Sequence, residues 1–497
     1  MTGAAGRLPR AGAAEFAAAL PRAWRLALVT LAGAALRIAL LPVQPLSRDE
    51  AFTALAVRRP LGDMLAVVSR DSAPPFFYLV EHLVALAWSN DAALRLIPAL
   101  AGTAMLPIVA AVAQRIHGRG AAGLWAAAFV AVLPATVLCS IDARMYALAA
   151  TLCLAAVLLL WRAVEHPAPA RWLAYGATAA AALWTDYFAV LAVLAALLAV
   201  LGIVRPSRRV TLGAAAASGA AAASLLPWLA IAGAQFGHLQ EPFWVRPATP
   251  VGVLGTIAQF FTGPPVDPSV PSWPLLVALQ GVACACGALP FALLLRRRHG
   301  LPRAGRIAAG YCAAAGLGGI GLLVLASLWR PLLEARYAAV LWSPLLPLAG
   351  VGLALLVRPR LAAGLVVALA VASTTLGAAV THPDIGRLLP AIEARVDAPD
   401  VVDAYPTLYL PLLEQANPDV RAHLHVVATS VPWFWGTAAY PPGAVLDAVP
   451  AADVAAGGRV LYVHEPEDPG PLLPAGYRLL DETCVVRACL AVFGPGP

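Results

Sequence analysis

Eleven apolar stretches, most of them near the length of a bilayer crossing, leave this chain few folds to adopt. They cover roughly 23–43, 92–115, 121–140, 145–163, 171–185, 187–204, 209–233, 274–296, 305–328, 338–357 and 361–381. About 20 consecutive apolar residues make one helical crossing of the hydrocarbon core. Of the 497 residues 61% are hydrophobic and only 12% charged, whereas soluble domains carry roughly a quarter charged residues. One water-soluble core cannot hide that much apolar surface. Alanine and leucine fill the runs continuously, which excludes the alternating pattern of an outer-membrane barrel. The expected fold is an α-helical polytopic membrane protein with about 11 transmembrane helices. The net charge of +7 comes from arginines in short connections. That pattern sets membrane orientation and does not point to a nucleic-acid partner.

Arginine placement gives the expected sidedness. The basic connections are Arg7–Arg25, Arg115–Arg119, Arg162–Arg171, Arg205–Arg209, Arg296–Arg306 and Arg358–Arg360. Assigning all of them to the cytoplasm lets the spans alternate without conflict on one condition. The segment Phe76–Trp88, with Glu81 and His82 inside it, must lie along the outer surface and not cross. Residues 1–22 then form a cytoplasmic N-terminal segment, and 23–381 a transmembrane domain with an outer loop at 44–91. Residues 382–497 form a small extracytoplasmic α/β domain. The run Ala23–Val43 is too long for the apolar part of a cleavable signal.

In the tail, strand-like runs (Val401–Ala404, His423–Ala428, Val460–His464, Val485–Phe493) flank a helical stretch at Leu408–Gln415. Cys484 and Cys489 lie five apart there. They fit either a disulfide in an oxidising compartment or two buried thiols. The other five cysteines sit in or beside apolar runs and form no zinc pattern.

Charged residues near a membrane that orientation does not explain invite a functional reading. Asp49 and Glu50 follow the first span in Leu46-Ser47-Arg48-Asp49-Glu50-Ala51-Phe52. On a helix they point about 100° apart, so they cannot serve one atom equally. The pair also fits a plain helix start with Ser47 as N-cap. Asp71 precedes Ser72-Ala73-Pro74-Pro75-Phe76-Phe77-Tyr78, and His82 follows. Arg144 and Tyr146 stand at the outer tip Ser140–Tyr146. Arg336 and Tyr337 open the tenth span, where the charge rule expects no outward arginine. Snorkelling explains each arginine singly. Two arginines on one face together suggest an anionic ligand, since the guanidinium fork suits phosphate oxygens.

The ordered set of motifs is familiar. It runs Arg-Asp-Glu-Ala at 48–51, Asp71 before Pro-Pro-Phe-Phe-Tyr-Leu, and Ala-Leu-Arg-Leu-Ile-Pro-Ala-Leu-Ala-Gly ending at 102. It continues with Asp-Ala-Arg-Met-Tyr-Ala-Leu at 142–148, Arg-Trp-Leu-Ala-Tyr at 171–175, Trp-Thr-Asp-Tyr-Phe at 184–188 and Ala-Arg-Tyr at 335–337. Over about residues 23–380 the chain resembles the GT-C superfamily of membrane glycosyltransferases, in the branch of protein O-mannosyltransferases and aminoarabinose transferases. The resemblance implies an enzyme of the cytoplasmic membrane that takes a sugar from a polyprenyl-phosphate donor. Mannose is one candidate sugar, and both hexosyl and pentosyl transfer fit.

Transfer would proceed with inversion, at the outer face, to a glycan, lipid or protein acceptor. Asp49 would be the base, with Glu50 and Asp71 as helpers in orientation or cation binding. Arg144, Tyr146, Arg336 and Tyr337 would meet the lipid phosphate, with Tyr78 and His82 beside them. The resemblance commits to no cofactor and leaves a divalent metal open. The chain departs from many relatives at Ala73, where they place His or Lys, and at Asp186, where they place His. Asp186 either supplies a different ligand or caps the sixth span. The competing reading is a transporter or lipid-linked-sugar flippase. That class shows inverted repeats and midplane charge, and neither is visible here.

Overall fold

A computed structural model describes residues 21–496 except 89, 119, 238–240, 242–243, 271 and 357. Residues 1–20 of the expected cytoplasmic segment therefore lie outside the description. Among the described residues, eight helices are long and apolar enough to cross a membrane, beginning with α1 (Arg22–Leu40). A bent pair, α5 (Gly120–Val132) and α6 (Pro134–Ser140), makes a ninth crossing if it is counted as one span. The remaining two expected spans are helices as well, but shorter: α8 (Pro169–Thr185, 17 residues) and the helical stretch Ala189–Val204, which opens with α9 (Ala189–Ala199). The chain is a polytopic helical membrane protein, and the expected count of eleven holds only with these two included.

The bend between α5 and α6 is 60° and has a local cause. Pro134 has no N–H to offer the preceding turn, so carbonyls there need other donors. Thr136 Oγ1 donates to the Val130 carbonyl at 2.7 Å. Arg37, buried within α1, donates to the carbonyls of Ala131 and Gly33 at 3.0 Å each. A charge inside the first apolar run thus works as a splint for a broken helix 94 residues further on.

Between α1 and α4 (Leu96–His117) the chain forms α2 (Arg48–Val57) and α3 (Phe76–Ala87). At 1.5 Å rise per residue, the 12 residues of α3 extend about 18 Å, too short for a bilayer core of about 30 Å. Buried Phe77, Tyr78, Glu81 and Val84 mark its packed face, while Leu83 and Leu86 are exposed.

The C-terminal region holds a six-stranded sheet in the order β3-β2-β1-β4-β6-β5. The strands are β1 (Val401–Ala404), β2 (Leu424–Val427), β3 (Val445–Leu446), β4 (Val460–His464), β5 (Tyr477–Val485) and β6 (Ala488–Pro495). The first four pair in parallel and the last two antiparallel. Cys484 and Cys489 form a disulfide across the β5–β6 turn.

The sheet domain is seated on the loop helices. Phe52, Phe77 and Tyr78 share one apolar core with Val402, Tyr409 and Leu461. Arg58 at the end of α2 pairs with Glu414 of the helix Pro406–Gln415. Arg59 donates to the Ala439 carbonyl at 2.7 Å. Gly436 has φ of 81°, and a Cβ there would press on Phe52 and Leu410. Glycine therefore meets a left-handed turn and a close approach together.

Candidate active site

Helix α2 sorts the two neighbouring acids onto different faces. Ser47 accepts from the Glu50 amide at 3.2 Å, and Glu50 accepts from the Ser47 amide at 3.0 Å. This is a capping box, so the plain helix-start reading holds for Ser47 and Glu50. Glu50 is 1% exposed and takes both prongs of Arg95, from Nε at 2.6 Å and Nη2 at 2.8 Å. The Ala143 amide adds a further donor at 3.0 Å. Burial alone would raise the Glu50 carboxyl, but the hydrogen bonds and charge of Arg95 outweigh it and hold it low. Arg95 also donates to the carbonyls of Leu41 at 2.6 Å and Gln44 at 2.8 Å. Glu50 thus ties α2 to the start of α4 and to the tip before α7 (Tyr146–Glu165). Its oxygens are already engaged by these donors, so it serves as a positioning residue for its neighbour.

Asp49 faces a cavity of about 280 Å³ that also takes in Asp71, Arg144, Tyr146, Asp186, Arg336 and Tyr337. Arg336, on α10 (Ala335–Trp342), donates to Asp49 Oδ2 at 2.7 Å. Arg48 reaches Oδ1 at 3.2 Å. Burial would raise the Asp49 carboxyl, but the charges of Arg48, Arg336 and Arg144 hold it well below the usual carboxylate range. Arg336 also lies over the Trp244 ring at 4.7 Å, a cation–π contact.

Arg144 is 7% exposed and is held by single weak contacts. Its Nη1 donates to Tyr78 Oη at 3.2 Å and to the Asp49 carbonyl at 3.4 Å. Its Nε has no hydrogen-bond partner. A buried guanidinium held this loosely suits an incoming anion. Asp71, also 7% exposed, accepts from Ser72 Oγ at 3.3 Å. Burial pushes its carboxyl up, against the pull of Arg144.

Asp186 takes the capping role of its two expected ones. Oδ1 accepts from the Phe188 amide at 2.7 Å and caps the turn into α9. Oδ2 is buried with no hydrogen-bond partner, the residue lines the cavity, and burial lifts the group to about 6.

Two expected ligands fall outside this lining: Tyr78, which is buried behind Arg144, and His82. His82 Nδ1 lies 2.7 Å from the Val57 carbonyl and does not line the cavity. It pins α3 to the end of α2, so a phosphate-binding role for it is corrected to a structural one. Glu50, expected as a helper in orientation or cation binding, does not line this cavity and is held by Arg95. Several contributors escaped the sequence. Arg95 was visible only as one letter of a motif. Trp244 and the aromatic run Trp433–Trp435 sit in loops with no periodicity to mark them.

A second cavity of about 460 Å³ adjoins the first and shares Tyr146, Trp244 and Arg336 with it. Its far wall is apolar, with Met105, Leu138, Phe260, Trp342, Leu346 and Leu376. Among the described residues, one group of three has its ligand atoms close enough to hold a metal ion, His464, Glu482 and Cys489. It lies on the sheet, and Cys489 is committed to the disulfide.

Comparison with known proteins agrees with this geometry. The chain superimposes on ArnT from Cupriavidus metallidurans in the apo state with a TM-score of 0.65 at 15% identity, over 95% of this chain and 98% of that one. ArnT bound to undecaprenyl phosphate gives 0.58 at 15% identity with the same coverage. The Archaeoglobus fulgidus oligosaccharyltransferase tethered with an acceptor peptide gives 0.50 at 14% identity, over 84% of this chain and 63% of that one. The shared feature is the fold. The family model described as dolichyl-phosphate-mannose-protein mannosyltransferase matches residues 71–231. That segment opens at Asp71 and contains Arg144 and Asp186. No curated protein matches by sequence. The chain is thus similar to that family over residues 71–231 and shares the fold of these solved structures over most of its length.

Proposed function

We propose that the chain is an inverting glycosyltransferase. It moves a sugar from a polyprenyl-phosphate donor to an acceptor hydroxyl at the outer face of the cytoplasmic membrane. The observation that carries this reading is the convergence of Asp49 and Asp71 with Arg144 and Arg336 in one cavity that abuts an apolar slot between membrane helices. The polyprenyl chain occupies the slot. Its phosphate sits at the shared wall, between Arg336 and Arg144, and the sugar projects toward the acids. These charges gather at one end of the bundle and not at midplane, which favours transfer over transport.

The acceptor oxygen attacks the anomeric carbon while a carboxylate takes its proton. The bond from that carbon to the phosphate oxygen breaks, and its electron pair leaves with the lipid phosphate. That leaving group is already a stable anion and needs cationic donors more than a general acid. Asp49 is the preferred base. Asp49 is paired with Arg336, and the donor's phosphodiester monoanion, competing for Arg336, frees the carboxylate to act.

Asp71 offers a second reading, because burial makes it intrinsically the stronger base. A rate–pH profile on purified protein with an undecaprenyl-phosphate sugar separates them. A base works deprotonated, so rate falls as pH drops through its pKa. An Asp71 base places that limb above the ordinary aspartate value, and Asp71→Asn abolishes transfer. Full transfer by Asp49→Asn would overturn the Asp49 assignment.

A further inference from the structure

We infer that the end of the cavity away from the lipid slot is a saccharide subsite, so that the acceptor hydroxyl belongs to a sugar. This rests on the proposed transferase reading and names its acceptor class. The turn Trp433-Phe434-Trp435-Gly436 lines the polar cavity but not the slot. It belongs to the loop that leaves the carboxyl end of β2.

The turn is built rigidly. Gly436 packs on Phe52, which lies one helical turn past Asp49, and Trp435 packs against Tyr405 at 5.9 Å. An indole presents a flat apolar face with polar groups excluded from it. A pyranose matches that chemistry, with C–H bonds on its faces and hydroxyls around its edge. The carboxylate residues Asp71 and Asp186 line the same cavity and suit the hydroxyl edge. The donor enters from the slot side and reaches the shared wall first. The aromatic end is therefore left to the acceptor.

The test uses the full chain in nanodiscs. Methyl glycosides and disaccharides of gluco, manno, galacto and arabino configuration, a threonine-containing peptide and diacylglycerol are screened by saturation-transfer NMR. At least one glycoside should receive saturation on its ring C–H protons. The Trp433→Ala/Trp435→Ala double variant should weaken that binding about tenfold or more, and Trp435→Phe should largely restore it. Undecaprenyl-phosphate binding, measured on the same samples, should survive the double variant and be lost in Arg336→Ala. The inference fails if no glycoside receives saturation, if binding persists in the double variant, or if only the peptide or the diacylglycerol binds. Should the wild type bind no undecaprenyl phosphate, the transferase reading itself fails.

Discussion

The two faces of α2 carry adjacent carboxylates with opposite fates. Toward the helix bundle, Glu50 is sealed by Arg95 and two backbone amides. Toward the cavity, Asp49 keeps 26% of its side chain exposed and is held by two arginines that a ligand can recruit. An isolated acid pair says nothing about which member reacts. Saturation does: a carboxylate with its oxygens committed supplies position, whereas one with exchangeable partners supplies chemistry.

The sharpest way to break this contrast is Asp49→Asn. It should lower transfer on the order of 10²–10⁴-fold, with a smaller loss of thermal stability than the Glu50 change gives. The neighbouring change should show first as lost stability. Removing the Glu50 carboxylate by Glu50→Ala strands Arg95 in the interior, at a cost of about 3–5 kcal/mol. Denaturation of the purified protein should show that loss, and a Glu50→Ala variant of native stability would sink the positioning role. A smaller effect is expected on the phosphate side. Arg144→Ala should weaken undecaprenyl-phosphate binding by about 1.5–3 kcal/mol, the usual range for a charged hydrogen-bonding group. Equal affinity by titration would remove Arg144 from the phosphate site.

The least effect concerns the sheet. Burial raises Asp403 to about 7, so its folded state prefers the protonated form. That contribution to stability is complete below the unfolded aspartate value and is lost as pH rises through about 7. Asp403→Asn, which keeps an acceptor for the Val427 amide, should flatten this dependence in unfolding measured from pH 5 to 8.

Spans and most strands were legible because each is a local pattern. Val401–Ala404 and Val460–His464 are strands as expected. The run Val485–Phe493 instead straddles a hairpin turn, and the exposed strand Tyr477–Val485 gave no apolar signal. Asp49, Asp71, Arg144 and Arg336 were legible because each is an unexplained charge at one membrane face. The Glu50–Arg95 clamp joins residues 45 apart, and no periodicity links them. The direction of His82 depended on how α3 docks against α2, which local sequence does not encode.

Arg37 carries a consequence for how the protein is made. A cation in a membrane helix costs roughly 2.5–3.5 kcal/mol at the centre, and less near an end. In the finished molecule that cost is offset by carbonyls freed at the Pro134 break. Those carbonyls emerge from the ribosome almost a hundred residues after Arg37 does. Until then the first helix is a poor resident of the bilayer, so nascent chains cut short before the bent pair should be the ones that quality-control proteases remove.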